Sequence, residues 1–300
     1  MNRKREENVD LQRLKLRRKL GIEPMLRQRE VISIGELPLH TEYYHHDDTA
    51  PLLLFLPGIG TYSELYAELL SGLCAQGFNV VGVDPRGHGY SGGPRGLYTV
   101  DQVVADCRQV IDHYRQTVRG PVYIYGYSIG ALLAVATAEQ DSRVEAVVCG
   151  TLLVPDVAPD AMHQLGWSWI WGSALLMPGM PLPMKSFIDY DRLLAGHPAG
   201  EEINADPRIV FDYPLKTLSS LFTHRLGVLH QRFGFRGLII HGDRDEVLPL
   251  SYSERVREVL THAFELQPVA DEGHMLPWDN PPRLVGLISD WLGSLTVTEA

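Results

Sequence analysis

Three hundred residues, 45% of them hydrophobic, are enough to bury one large core, and a mean hydropathy of −0.08 is ordinary for a globular chain. No run approaches eighteen uninterrupted apolar residues, so no membrane-spanning helix is expected. The net charge of −10 is uneven: residues 1–30 hold ten Lys/Arg against five Asp/Glu, and the rest 17 against 32, an acidic body that argues against a nucleic-acid partner.

The chain starts with a basic segment, 1–29, in which leucines between Asp10 and Leu20 fall at partly helical spacing. Its charged start leads into more charge rather than an apolar run, so it does not read as a signal peptide. Three readings stand: a helix lying peripherally on an anionic membrane surface, a short helix packed on the domain, or a frayed tail. The narrow apolar stripe without an aromatic anchor favours packing. Next, Glu30–Ile34 and Leu37–Tyr44 alternate like an antiparallel hairpin. Continuous apolar runs at Pro51–Leu56, Asn79–Val83, Val122–Tyr125 and Val144–Cys149 suggest strands buried on both faces. Between them, Tyr62–Ala75, Val100–Val118 and Ala131–Gln140 fit helices with one apolar face. This alternation builds an α/β fold, a mostly parallel sheet flanked by helices.

The alternation breaks over 155–235, a Met-, Trp- and Pro-rich stretch expected to form a helical cap over the site. Strand character returns at Gly237–His241 and Ala263–Val269, and a helix over Arg283–Leu292 finishes the chain. The core is thus expected from 30–154 together with 236–300. Cys74, Cys107 and Cys149 are odd in number, lack metal-ligand spacing and sit in apolar surroundings. They read as buried free thiols, which fits a cytoplasmic location.

Gly126-Tyr127-Ser128-Ile129-Gly130 lies between a strand-like and a helix-like run, the setting of a nucleophile elbow. A second match, Gly89-Tyr90-Ser91-Gly92-Gly93, sits where Gly and Pro forbid a helix after the serine, so Ser91 reads as a loop residue. A serine hydroxyl needs a base, and the base needs an acid that fixes its tautomer. In the order Ser, acid, His the chain offers Ser128, then Asp243 or Asp245, then His274, the latter two groups in loops at the carboxyl edge of the sheet. His88 reads as a structural histidine in a Gly-rich loop and His241 as the end of a buried strand. The N–H groups of Ile59 and Ile129 are the candidate oxyanion donors. One rival uses the same loop: Gly58-Ile59-Gly60 with Asp84 imitates a dinucleotide unit of a nicotinamide oxidoreductase, but Ser63 replaces its third glycine. A second rival is a non-catalytic hydrolase-fold protein, which usually lacks a triad member.

The chain resembles the α/β-hydrolases, and among them the monoglyceride lipase / lysophospholipase family. The resemblance lies in Phe55-Leu56-Pro57-Gly58-Ile59-Gly60, in Val83 to Ser91, in the Ser128 elbow, in His241 to Pro249, and in Gly273-His274. It covers roughly residues 30–293. The resemblance implies Ser128 as nucleophile and His274 as base. It also selects Asp245 over Asp243, since the family's Gly-x-x-Asp-x-x-Val pattern falls on Gly242, Asp245 and Val247, one residue short of strict register. Two departures, Pro57 and Tyr127 where the family usually has His, bear on substrate preference. The expected activity is hydrolysis of a small-molecule ester, a monoacylglycerol-like monoacyl lipid first, a lysophospholipid or short-chain ester second. No cofactor or metal is required. Tyr127, Trp167, Trp169, Trp171 and Met177 are the candidate substrate contacts, because adaptable Met and flat Trp surfaces suit an acyl chain.

Overall fold

The computed structural model describes residues 2–186, 193, 197 and 199–297. Helices α1 (Asn2–Leu20) and α2 (Glu23–Leu26) precede a hairpin of β1 (Glu30–Ile34) and β2 (Leu39–Tyr44). The second strand starts two residues later than the alternation predicts, because 35–38 form the turn and Gly35 takes a positive φ of 83° there. Then come β3 (Leu52–Leu56), a 3-10 turn (Ser63–Tyr66) running into α3 (Ala67–Ala75), β4 (Asn79–Val83) and α4 (Val100–Tyr114). Next are β5 (Val122–Tyr127), α5 (Ile129–Gln140) and β6 (Val144–Gly150). The segment inserted after β6 carries α6 (Ala161–Leu176), β7 (Pro181–Pro183), α7 (Gly200–Ala205), β8 (Asp212–Pro214) and α8 (Leu215–Phe222). The chain ends with β9 (Arg236–Gly242), α9 (Leu250–Val259), β10 (Phe264–Val269), α10 (Leu276–Asp279) and α11 (Pro281–Val297).

Eight strands form one sheet in the order β1-β2-β4-β3-β5-β6-β9-β10. Only β2 runs against its neighbours; the other pairings are parallel. The central strands are apolar at every position because both faces are covered. Along β3, Leu52, Leu54 and Leu56 join the core beneath α4 and α5, while Leu53 and Phe55 join the core beneath α3 and α11. The strand order reverses between β3 and β5: the chain moves outward to β4 in one direction and to β6 in the other. That switch point opens a crevice at the carboxyl ends of β3 and β5.

The basic N-terminus is packed, and its partners are specific. Leu16 is 2% exposed and joins the core with Leu65, Tyr66 and Ile203. Arg17 reaches Glu64 through Nε at 2.7 Å, and Arg13 and Arg29 place Nη2 3.2 and 3.0 Å from the same carboxylate. Tyr90 adds a hydroxyl donor at 3.3 Å. Burial alone would raise the Glu64 pKa; the hydrogen bond from Arg17 and the charges of Arg13 and Arg17 prevail and hold it down to about 2. The neighbouring Glu42 is fully buried too, 3.3 Å from Arg29, and its pKa is raised by burial. The segment is thus a helix docked on the domain, with Lys15 and Lys19 also engaged, with Glu202. No helix among the described residues is long and apolar enough to cross a membrane. Cys107 and Cys149 are buried, whereas Cys74 is half-buried.

Because the folded pKa of Glu64 lies below its ordinary value, the stability it contributes is complete above about pH 4.5 and is lost as the pH falls toward 2. The difference corresponds to about 3 kcal/mol. Glu64→Gln should therefore lower Tm by roughly 5 °C at pH 7, with the gap to wild type closing as the pH drops below 4. Thermal melts of the two proteins across that range test it; a gap independent of pH would contradict the pairing.

Candidate active site

Strand β5 runs without interruption into the turn at Ser128, whose φ of 54° and ψ of −121° lie outside the ordinary regions for a residue with a Cβ. The flanking glycines are needed for space rather than for their dihedrals. A Cβ on Gly126 would meet the Gly130 carbonyl oxygen at 2.1 Å, and one on Gly130 would meet those of Leu56 and Pro57 at 2.2 and 2.6 Å. The elbow thus presses against the end of β3. The Ser128 N–H is used by the Gly150 carbonyl at 2.7 Å, which fixes the turn to β6.

Ser128 Oγ lies 3.3 Å from His274 Nε2, and His274 Nδ1 lies 2.8 Å from Asp245 Oδ2. The three side chains come from the loops after β5, β10 and β9. Asp245 rather than Asp243 meets the histidine; Asp243 is exposed and accepts the N–H of Asp271 at 2.8 Å. Asp245 is well supplied with donors: Val247 and Leu248 N–H at 2.8 and 2.9 Å on Oδ1, and the Thr151 hydroxyl at 3.1 Å on Oδ2. Burial works to raise its pKa, but the His274 hydrogen bond and these donors hold the carboxyl below its usual range. An ionised Asp245 keeps the proton on Nδ1 and leaves Nε2 bare toward Ser128.

Two further residues, Thr151 and His241, support the acid. Thr151 reaches Asp245 from a positive φ of 59° just past β6. His241, fully buried at the end of β9, donates from Nε2 to the Leu248 carbonyl at 2.9 Å and accepts the Ser253 hydroxyl at Nδ1 at 2.7 Å. Burial pushes its pKa down, so it stays neutral beside Asp245.

The loop after β3 folds back on itself. The Gly58 carbonyl accepts the Thr61 N–H at 3.2 Å and its hydroxyl at 2.9 Å, and Tyr66 donates to the Thr61 oxygen at 2.8 Å. Gly60, at φ 76°, is bonded through its carbonyl to Val210 N–H at 2.9 Å. The N–H groups of Ile59 and Ile129 have no hydrogen-bond partner among the described residues. Ile59, Ser128 and His274 border a cavity with about 610 Å³ of space, part of it open to solvent. Its wall from the sheet side includes Tyr66, Tyr127, Met275 and Trp278; from the inserted segment it includes Leu193, Ile203, Asn204, Ile209 and Phe211.

Tyr127 therefore borders the cavity, and its hydroxyl also donates to the His274 carbonyl at 2.9 Å, which steadies the histidine loop. The other four expected substrate contacts lie elsewhere. Trp167, Trp169, Trp171 and Met177 are not among the lining residues. Trp167 stacks on Phe222 of α8 at 5.4 Å and 8°, and Trp169, Trp171 and Met177 are about half exposed on α6. The inserted segment contributes to the cavity through α7 and the approach to β8 instead. The apolar residues there, Ile203, Ile209 and Phe211, follow no helical or strand period that sets them apart from core in the sequence. The remaining motif residues have structural uses. Ser91 donates to the Asp84 carbonyl at 2.6 Å. His88 lies between the Tyr213 hydroxyl at 2.6 Å and the Arg86 carbonyl at 3.1 Å, and burial pushes its pKa down to about 4. Asp84 is fully buried and accepts the N–H groups of Ser63 and Tyr90, so it has no ribose to face.

The crowding at the elbow makes a direct test. Gly130→Ala should destabilise by about 3 kcal/mol and lower Tm by roughly 5 °C, since backbone rather than a flexible side chain must yield. Gly166→Ala in α6, where a Cβ meets nothing within 4 Å, should leave Tm unchanged or slightly raised.

Comparison with known proteins agrees with this architecture. The model of the family described as serine aminopeptidase, S33 (Hydrolase_4) matches residues 47–279. A 2-(acetamidomethylene)succinate hydrolase of Mesorhizobium japonicum is 28% identical over 134 residues, 45% of this chain and 46% of its own. The chain spans about half the length of the curated relatives it matches. The crystal structure of Paleococcus ferrophilus monoacylglycerol lipase is similar with a TM-score of 0.68 at 21% identity, over 87% of this chain and 99% of that one. A soluble variant of monoglyceride lipase from Saccharomyces cerevisiae, in complex with a substrate analog, gives a TM-score of 0.71 at 14% identity, over 89% and 94%. At such identities the likeness is one of fold, an eight-stranded, mostly parallel sheet flanked by helices with an inserted segment. With the family model spanning 47–279, the chain belongs to the serine aminopeptidase, S33 (Hydrolase_4) family of α/β-hydrolases.

Proposed function

We propose that this chain is a serine hydrolase that cleaves the carboxylic ester of a monoacyl lipid, a monoacylglycerol-like substrate, through an acyl-serine intermediate. The observation that carries the reading is a strained Ser128 in reach of the His274–Asp245 pair, with two unpartnered backbone N–H groups beside it, at the edge of an apolar cavity. Ser128 Oγ attacks the carbonyl carbon while its proton passes to His274 Nε2. The tetrahedral oxyanion is held by the N–H groups of Ile59 and Ile129, each worth on the order of 3 kcal/mol. The intermediate collapses, the alcohol leaves with the proton from Nε2, and a water activated by the same nitrogen hydrolyses the acyl-serine. Asp245 stays ionised and stabilises the imidazolium.

The apolar wall favours a long acyl chain over a charged substrate. A substrate with a free α-ammonium needs a carboxylate near the reacting bond, and no Asp or Glu is among the described lining residues. Isoleucines 59, 203 and 209, with Phe211 and Met275, supply apolar contact on both sides of the cavity instead. Two of the structural neighbours are a monoacylglycerol lipase and a monoglyceride lipase, which supports the reading.

Four outcomes are expected. Ser128→Ala and His274→Ala should each remove esterase activity by at least about 10³-fold while the melting curve stays cooperative. Asp245→Asn should cost a comparable factor, and Asp243→Asn less than about threefold, since it makes no contact with the histidine. Normal hydrolysis by Ser128→Ala sinks the proposal. On p-nitrophenyl esters, kcat/KM should rise with acyl length from acetate to octanoate, by up to about fourfold per methylene. A flat or falling profile makes the protein a short-chain carboxylesterase, and a preference for lysophospholipid over monoacylglycerol in a direct comparison makes it a lysophospholipase. Aminoacyl p-nitroanilides should be poor substrates.

A further inference from the structure

Helix α1 lies outside the residues that the family model matches, yet its side chains reach both walls of the cavity. On one side, Arg13 and Arg17 bind Glu64, within the 3-10 turn that ends at the lining residue Tyr66 and begins two residues after the lining Thr61. On the other side, Lys15 Nζ lies 2.8 Å and Lys19 Nζ 3.6 Å from Glu202 Oε1. Glu202 is on α7, immediately before the lining residues Ile203 and Asn204. Leu16, between these two sets of charges, is buried in the core that contains both Tyr66 and Ile203. A further tie runs through Tyr90, whose ring has the Arg13 guanidinium at 4.6 Å and that of Arg208 at 4.6 Å, the latter one residue before the lining Ile209.

The α7 wall needs such a tie. It is a helix of six residues, with no side-chain hydrogen bond at its N-cap, and it pairs with no strand. Isolated, so short a helix has no stability of its own. Its position relative to Ser128 depends on what it packs against, and α1 is packed directly against it.

We infer that α1 is a clamp that sets the substrate selectivity of the cavity, with Glu202 as a positioning residue: paired to Lys15 and Lys19, it holds Ile203 and Asn204 against the acyl chain. The inference rests on the ester reading above for its substrate and on the geometry of α1 for everything else. Acyl groups that extend beyond Ser128 to the α7 wall depend on the clamp; an acetyl group does not reach it. The Lys side of the pair is exposed, so the clamp loosens with salt as well as with mutation.

The test uses charge reversal at exposed positions, which leaves the buried Arg–Glu64 cluster intact. In Lys15→Glu/Lys19→Glu, amide hydrogen exchange at 200–206 should speed up by about tenfold, with exchange in β5 and α5 unchanged. The kcat/KM ratio of p-nitrophenyl octanoate to acetate should fall by about fivefold, with acetate hydrolysis itself preserved. Adding Glu202→Lys, which re-pairs the charges in the opposite sense, should restore both. An unchanged octanoate-to-acetate ratio, or faster exchange that the triple variant does not rescue, overturns the clamp. If the wild-type protein hydrolyses neither ester, the ester reading is what fails, and exchange at 200–206 with its rescue decides the clamp alone.

Discussion

The close approach of backbone to backbone at Gly126, Gly130 and Leu56 is the constraint on which the rest of this structure depends. Strand β5 must pass into α5 without a loop, and α5 must lie against the end of β3. A Cβ at either glycine would lie 2.1 or 2.2 Å from a backbone carbonyl oxygen, so helix and strand could not keep this approach. With both absent, the intervening residue is left in a sparsely populated conformation, and its side chain is the one that projects from the sheet edge. The strain at Ser128 is therefore a consequence of tight packing around it, and the packing is what prevents it from relaxing. The same contact sets the start of α5 against the end of β3, and Ile59 of the loop that follows β3 borders the same cavity as Ser128.

Two buried carboxylates show how the same physics serves different ends. Asp245 and Glu64 both lose hydration, and both stay ionised because donors surround them. Asp245 is held first by the His274 hydrogen bond and then by neutral donors, the Val247 and Leu248 amides and the Thr151 hydroxyl, and it makes no ion pair with Arg or Lys among the described residues. Glu64 is held by three arginines, so its charge is consumed in fastening the N-terminal helix and the turn after the β3 loop. The number of cations around a buried acid thus separates a group whose charge acts on a neighbour from one that joins two parts of the chain.

The inserted segment makes a cavity wall without being a second core. Its longest helix, α6, stands on α8 and directs several apolar side chains outward, while the cavity is closed by short elements near α7 and β8. Short elements of this kind take their positions from neighbours: Val210 bonds to Gly60, Tyr62 to Asp206, and Glu202 to α1. The cavity wall from the inserted segment is thereby tied to the loop that carries Ile59.

The sequence by itself determined the sheet, its buried strands and the elbow. Those features are written in local patterns: continuous apolar runs where both faces are covered, and glycines two residues either side of Ser128. It also marked the loops that bear His274 and the two candidate acids, but spacing alone left Asp243 and Asp245 open, because both follow β9 within a few residues. Only the fold decided that Asp245 turns inward onto amides of its own loop while Asp243 faces out to bond Asp271. The tryptophans of α6 looked like a substrate surface because composition reports apolar character and not direction. Which way that helix faces is fixed by its packing on α8, a contact between distant parts of the chain. The basic N-terminus was ambiguous for the same reason: a stripe of leucines and arginines fits a lipid surface or a buried glutamate equally well, and Glu64 is 47 residues away from Arg17 in the chain. Periodicity and turn chemistry are local and can be read in order; the partner of a charge and the outward face of an apolar helix are set by tertiary contacts.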